Sequence, residues 1–251
     1  MIAPSDSAFG GPTSPAGAGE GAGLLTYPLF MDMTPKRWTN TCEYLDAVFG
    51  QEDQHLHDLM PAAIAEGVPP IAVSPSVGRM LRVLLKMINA KTVVEVGTLA
   101  GYSTTWMARA LPEDGMVYAI EPNALHARIA REGFEQAGIA HKVTVIEETG
   151  LDALPHLLKD LGDGSVDAVF LDAIKSEYPD YFPASKRLLR KGGLLIADNA
   201  LGGGDWWIDD PSGHNLDRDG ADSLNDLISR DEDFDAFCVP LREGVAVGMR
   251  V

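Results

Sequence analysis

The sequence predicts a doubly wound, Rossmann-like α/β fold: a mostly parallel seven-stranded sheet with an antiparallel C-terminal hairpin, preceded by N-terminal helices. Three observations carry this expectation. After Lys91, five short apolar runs, "TVVEV", "MVYAI", "VTVI", "VDAVFL" and "GLLIA", follow one another at intervals long enough for crossover helices. They are apolar on both faces, as strands covered by helices on each side of a parallel sheet must be. Near the end, "FDAFCVPL" and "EGVAVGMRV" are separated by only a short Arg-Glu-Gly turn, which suits an antiparallel hairpin and cannot hold a crossover helix.

The elements follow in order. Residues 1–23, "MIAPSDSAFGGPTSPAGAGEGAG", carry almost no bulky apolar groups, so ordering them would cost chain entropy with little burial in return. They are expected to form a disordered tail ahead of a single domain, 24–251, in which 24–90 are N-terminal helices and 91–251 the core. Thr34 and Pro35 suit an N-cap and first helical position, and Gly50 suits the end of that helix. A second helix is expected over 52–66. A third opens on Ser74 and Pro75 and sets Val77, Met80, Leu81, Leu84, Leu85 and Ile88 on one stripe, a face expected to pack on the sheet.

Composition narrows the partners. With 251 residues and 45% hydrophobic content, the chain can bury one sizeable core. Its 20 basic and 37 acidic residues give a net charge of -17, which repels phosphate backbones and anionic lipid surfaces. Nucleic acid and membrane partners are therefore not expected. Cys42 and Cys238 form neither a disulfide framework nor a CxxC pair, so free thiols in a reducing, cytoplasmic interior are expected. No stretch reaches the roughly 18 consecutive apolar residues a membrane span needs, and no signal-peptide pattern opens the chain.

The chemistry-bearing residues gather at strand ends. The first strand runs into "EVGTLAGYSTTWMARAL", where Gly97 and Gly101 either let a ligand approach backbone at a helix N-terminus or serve the turn alone. The second strand ends at Glu121, 20 residues after Gly101, where a carboxylate can accept from ribose hydroxyls. Two more runs end in acids: "VFLDAIKSEY" at Asp172, with Lys175 three positions on, and "GLLIADNALGGG" at Asp198 and Asn199. Two carboxylates and an amide make an all-oxygen set suited to a hard cation such as Mg2+. Taken singly, Asp172 with Lys175 could be a helix cap and a surface pair, and "DN" only a turn. Their convergence at the carboxyl edge of one sheet favours a site. His55 and His57, two apart on a helix, point to different sides and read as surface residues. The acidic run "DRDGADSLNDLISRDEDFD" lacks calcium-loop spacing and reads as the solvated face of a late helix.

Together the blocks "VVEVGTLAGYST", "ALPEDGMVYAIEP", "VFLDAIKSEYPDYF" and "LLRKGGLLIADNALGGG" resemble the metal-dependent O-methyltransferases of caffeoyl-CoA and catechol type, which use S-adenosylmethionine. The resemblance spans roughly residues 70–203. It implies that Asp172, Asp198 and Asn199 hold a divalent cation, Mg2+ or else Mn2+ or Ca2+, and that Lys175, beside Asp172, is the catalytic lysine contacting substrate. It further implies that Glu121 holds the cofactor ribose and that Gly97, Thr98, Tyr102, Ser103, Gly150 and Asp172 belong to the cofactor site. The stretch "IEETGLDALPHL" departs from the family, placing Glu148 and Gly150 where a small Gly and Ala pair usually lies beside adenine. Beyond Gly204 the similarity fades, and Trp206 and Trp207 are expected either to form an aromatic wall for a planar substrate or to anchor a long loop.

The activity implied is cation-dependent O-methylation of a small vicinal diol, most simply a catechol-like aromatic, by a homodimer. Two other readings use the same features. One is methylation of a hydroxylated base in transfer RNA, against which the charge of -17 argues. The other is a protein that binds the cofactor without turnover, against which the intact set Asp172, Lys175, Asp198 and Asn199 argues.

Overall fold

Side-chain alternation along the strands sorts the core into two layers, one on each face of a single sheet. The computed structural model describes residues 34–202 and 214–251. Among the described residues the sheet has seven strands: β1 (Thr92–Val96), β2 (Met116–Ile120), β3 (Val143–Ile146), β4 (Val166–Leu171), β5 (Leu189–Asp198), β6 (Phe234–Val239) and β7 (Val245–Arg250). Their order is β3-β2-β1-β4-β5-β7-β6. Neighbours from β3 across to β5 are parallel, while β7 runs antiparallel to both β5 and β6.

Period-two burial follows directly. Val93, Phe170, Ile196 and Val247 join one apolar cluster, and Val94, Val169, Leu195 and Ala246 join the other. The first cluster is closed by α2 (Gln54–Ala65), α3 (Pro75–Met87), α4 (Tyr102–Ala108) and α5 (Ala124–Gln136), with α1 (Pro35–Phe49) packed outside α3. The second is closed by α6 (Gly150–Leu161), α7 (Tyr178–Leu188) and α8 (Leu216–Arg230). The stripe expected on the third helix packs as expected. Val77, Leu81 and Leu85 are buried in the first cluster, and Met80, Leu84 and Ile88 pack against it. Ser74 caps that helix by accepting the Val77 N–H.

The hairpin and all five parallel strands fall on the runs read from sequence, with one correction. β5 begins at Leu189, not at Gly193. Its register against β4 jumps from Val166↔Leu189 to Ala168↔Leu194, so the intervening residues bulge out. Asp167, opposite the bulge, accepts the Lys91 and Thr92 N–H groups at 2.7 and 2.8 Å, and Arg190 reaches the Ile88 carbonyl at 3.1 Å. A second correction concerns His55, which is half-buried on α2 and not a surface residue; His57 is exposed. The expected tail at residues 1–23 lies outside the described residues; Pro35–Val251 is one unit. Among the described residues, no helix is long and apolar enough to cross a membrane.

This topology makes a crevice. From β1 the chain winds outward to β2 and β3, then returns to β1's other side as β4. Connections leaving β1 and β4 therefore diverge to opposite faces, and the gap at their carboxyl ends is where open α/β sheets take ligands.

Candidate active site

A cleft of about 630 Å³ opens at that edge. It brings together Gly97, Thr98, Tyr102, Ser103, Glu121, Asp172, Lys175, Asp198 and Asn199.

The loop after β1 is fixed from below by Glu95, a carboxyl with no solvent exposure inside an otherwise apolar strand. The hydroxyls of Thr98 (3.2 Å), Ser103 and Thr104 all donate to it. Burial pushes the Glu95 carboxyl up to about 7, against the pull of those three hydroxyls. At Gly97 the backbone has φ +98 and a Cβ would overlap the Asp172 carbonyl oxygen, so glycine is needed for the approach of β1 and β4 themselves. The turn reading of this glycine is accounted for by that contact, and the residue also lines the cleft.

Glu121, 6% exposed, leaves the end of β2 and accepts the N–H groups of Leu99 at 2.8 Å and Asn123 at 2.9 Å. Each carboxylate oxygen thereby keeps acceptor capacity for a ligand. Tyr102 lines the cleft with its ring, because its hydroxyl donates to Glu52 at 2.6 Å.

Across the cleft, Asp172 follows β4 and Asp198 closes β5. Burial raises both carboxyls, and the repulsion between them raises Asp198 further; Lys175 and Arg242 oppose this. The Lys175 ammonium donates to Asp172 at 3.0 Å from a 3-10 turn over Lys175–Glu177. The ion pair of this lysine with Asp172 therefore exists, while the Glu177 carboxylate takes the Tyr181 hydroxyl. Asn199 sits at φ +56, a left-handed position that asparagine tolerates better than most residues. Beneath the acids, the fully buried Tyr178 hydroxyl lies 2.9 Å from the Leu171 carbonyl and 3.0 Å from that of Asp198, tying the ends of β4 and β5 together. Among the described residues, no three His, Cys, Asp or Glu side chains gather as metal ligands. The cleft offers two carboxylates and an amide instead, and a buried Asp198 repelled by a partly buried Asp172, with Asn199 lining the same cleft, fits a hard divalent cation.

Several expectations change here. Gly150 does not line the cleft: it opens α6 under Val96 and Tyr181, where any side chain would collide, and its need for smallness is packing. Glu148 likewise pairs with His156 at 2.8 Å. Trp206 and Trp207 lie outside the described residues. Conversely, Glu95, Tyr178, Asp217, Arg242 and Glu243 were not singled out by sequence, although the acid within "TVVEV" was itself a signal. Arg242 and Glu243 reach the cleft from the β6–β7 turn.

With this geometry in place, comparison with known proteins adds a family. Residues 47–251 match the family model described as O-methyltransferase. The catechol O-methyltransferase of Niastella koreensis is 39% identical over 158 residues, 63% of this chain and 71% of that protein. The catechol O-methyltransferase of Mycobacterium tuberculosis is 37% identical over 161 residues, 64% of this chain and 71% of that protein. Among solved structures, the O-methyltransferase TomG from Streptomyces achromogenes, involved in tomaymycin synthesis and in complex with SAM, superposes with a TM-score of 0.77 at 29% identity, covering 88% of this chain and 100% of that one.

Proposed function

The chain belongs to the O-methyltransferase family, and from that premise we propose that it moves the methyl group of S-adenosylmethionine to one hydroxyl of a small catechol-like vicinal diol, with a divalent cation at Asp172, Asp198 and Asn199. The observation that carries this reading is the cleft itself: a ribose-type acid, Glu121, on one side and the Asp172–Lys175–Asp198–Asn199 set on the other. The catechol relatives and the SAM-bound neighbour support it.

Roles follow from placement. Glu121, held by two backbone N–H groups, accepts the ribose hydroxyls, and the Gly97–Ser103 loop clamped on Glu95 forms the floor under the donor. The donor supplies a methyl group on a sulfonium; transfer breaks the S–C bond, forms the O–C bond and leaves a neutral thioether. A bound divalent cation would supply Lewis acidity to two vicinal oxygens, favouring loss of a phenolic proton. Lys175, partly buried and at the same wall as Asp172 and Asp198, takes that proton as general base once it has given up its own proton and stands as the neutral amine. Its 3.0 Å ion pair favours a second reading of this one residue, in which a permanently cationic Lys175 stabilises the phenolate by charge.

We also place the enzyme as a homodimer. No residue of α1 is buried, and Tyr44 and Phe49 on it and Met87 on α3 are 62%, 56% and 72% exposed, which leaves an apolar face for a second copy. Light scattering that gives the mass of one chain would refute the dimer. The free thiols Cys42 and Cys238 support a reducing, cytoplasmic setting.

The deciding experiment is methyl transfer to a panel of catechols with Mg2+, with chelator, and with Asp198→Ala. Turnover should vanish in the last two. Turnover that survives chelator would remove the cation from the reaction, and no turnover on any catechol would remove the acceptor class.

A further inference from the structure

The tip of the β6–β7 hairpin carries a cation in an unusual setting. Arg242 has φ +52, a conformation glycine adopts freely and arginine does not. The turn around it is held tightly. Gly244 N–H donates to Leu241 O at 2.9 Å, Ala200 N–H to Gly244 O at 2.9 Å, and Leu201 N–H to Glu243 O at 2.8 Å. These bonds stitch the hairpin tip to the turn that follows Asp198, so the Arg242 side chain leaves from a fixed point on the cleft wall.

Its charge acts at a distance on Asp172 and Asp198, but its hydrogen-bonding arms are unused. The nearest acid is Glu243, whose Oε2 is 3.5 Å from Nε, beyond a good hydrogen bond. The two terminal nitrogens, which hold four of the five guanidinium donors, have no hydrogen-bond partner among the described residues. The other charged groups lining the cleft are Lys175, Glu121, Asp172, Asp198, Asp217 and Glu243. Lys175 is paired with Asp172, Glu121 is held by two amides, and Asp217 accepts the Ser176 N–H at 3.1 Å. An anionic ligand entering a chain of net charge -17, past five carboxylates, is repelled unless a dedicated cation receives it. A planar fork with both arms free matches a carboxylate in two-point geometry.

We infer that Arg242 is a specificity-determining residue that selects acceptors bearing a carboxylate on the ring that carries the diol. The inference rests on the acceptor reading above and deepens it. Selection works through binding: the guanidinium receives the carboxylate at the cleft mouth while the diol end points inward to Asp172 and Asp198.

The test compares 3,4-dihydroxybenzoate with its methyl ester, which keeps the diol and removes the charge, in wild type, Arg242→Gly and Arg242→Lys. Glycine suits φ +52, so that variant removes the side chain and relaxes the backbone instead of straining it. The acid-to-ester ratio of kcat/KM should fall by about ten-fold or more in Arg242→Gly, chiefly through the KM of the acid, as expected for one charge-assisted pair. Arg242→Lys should recover part of the ratio. Both compounds methylated with the same ratio in wild type and Arg242→Gly would overturn this assignment alone. Methylation of neither by wild type would overturn the acceptor reading, and the assignment with it.

Discussion

Replacing Glu95 by glutamine should make the protein's stability less sensitive to pH, in a direction the structure dictates. The carboxyl is wholly buried and titrates near 7 in the folded state, against 4.5 when unhindered. The difference, 7 − 4.5 = 2.5 units, corresponds to about 3 kcal/mol. Its sign is settled by proton counting. Between pH 4.5 and 7 the folded chain keeps a proton that the unfolded chain has released, so the native state binds more protons and stability falls as pH rises through that window. The like charge of Asp172 pushes the same way. Glutamine has the shape of the protonated acid and cannot ionise, so it escapes the loss. Urea titrations of both proteins between pH 5.5 and 8 read the effect as a double difference, in which the other titrating groups largely cancel. The variant should gain about 2 kcal/mol on wild type across that range, or about 4–8 °C in melting temperature for a chain of this size. A difference that stays flat with pH would refute the account of Glu95 as a buried acid whose ionisation is opposed by burial.

Three other perturbations test the site. Lys175→Arg keeps the charge beside Asp172 but removes any general base; kcat should fall by about 100-fold or more if the amine takes the proton, whereas retention within about 10-fold would assign it to charge alone. Tyr178→Phe deletes the hydroxyl shared by the Leu171 and Asp198 carbonyls and should cost about 1–3 kcal/mol by urea unfolding, with weaker Mg2+ binding in calorimetric titration; unchanged Mg2+ affinity would mean the tie does not set the spacing of the acids. Gly97→Ala puts a methyl group on the Asp172 carbonyl at φ +98, and should lower both the melting temperature and the affinity for S-adenosylmethionine in a fluorescence titration; a variant as stable as wild type would show that β1 and β4 can separate freely.

How much of this could be read from the chain depends on whether the physics is local. The parallel strands were legible because being covered on both faces forces near-continuous apolar runs, and the hairpin because three residues cannot span a crossover. Glu121, Asp172 and Asp198 were legible because the end of such a run fixes where a side chain emerges. The start of β5 was not, since Arg190–Gly193 has turn chemistry and its strand character comes from the register against β4. The packing demand at Gly150 was hidden for a related reason: a small residue beside Val96 and Tyr181 is required by partners far away in sequence. The seating of Tyr178 and the arrival of Arg242 at the cleft likewise depend on contacts made across 20 or more residues.

The stitch between the hairpin tip and the turn after Asp198 also sets how the cleft fluctuates. Because the Ala200 and Leu201 amides are bonded to the backbone at Gly244 and Glu243, they exchange hydrogen with solvent only when the last hairpin lifts from the sheet. The turn after Asp198 and the turn that carries Arg242 are thus joined by backbone hydrogen bonds, and the expectation is that they open together. Deuterium uptake at those amides should follow that of β7, so a slow breathing motion at the far edge of the sheet would be felt at the acids as a loss of alignment.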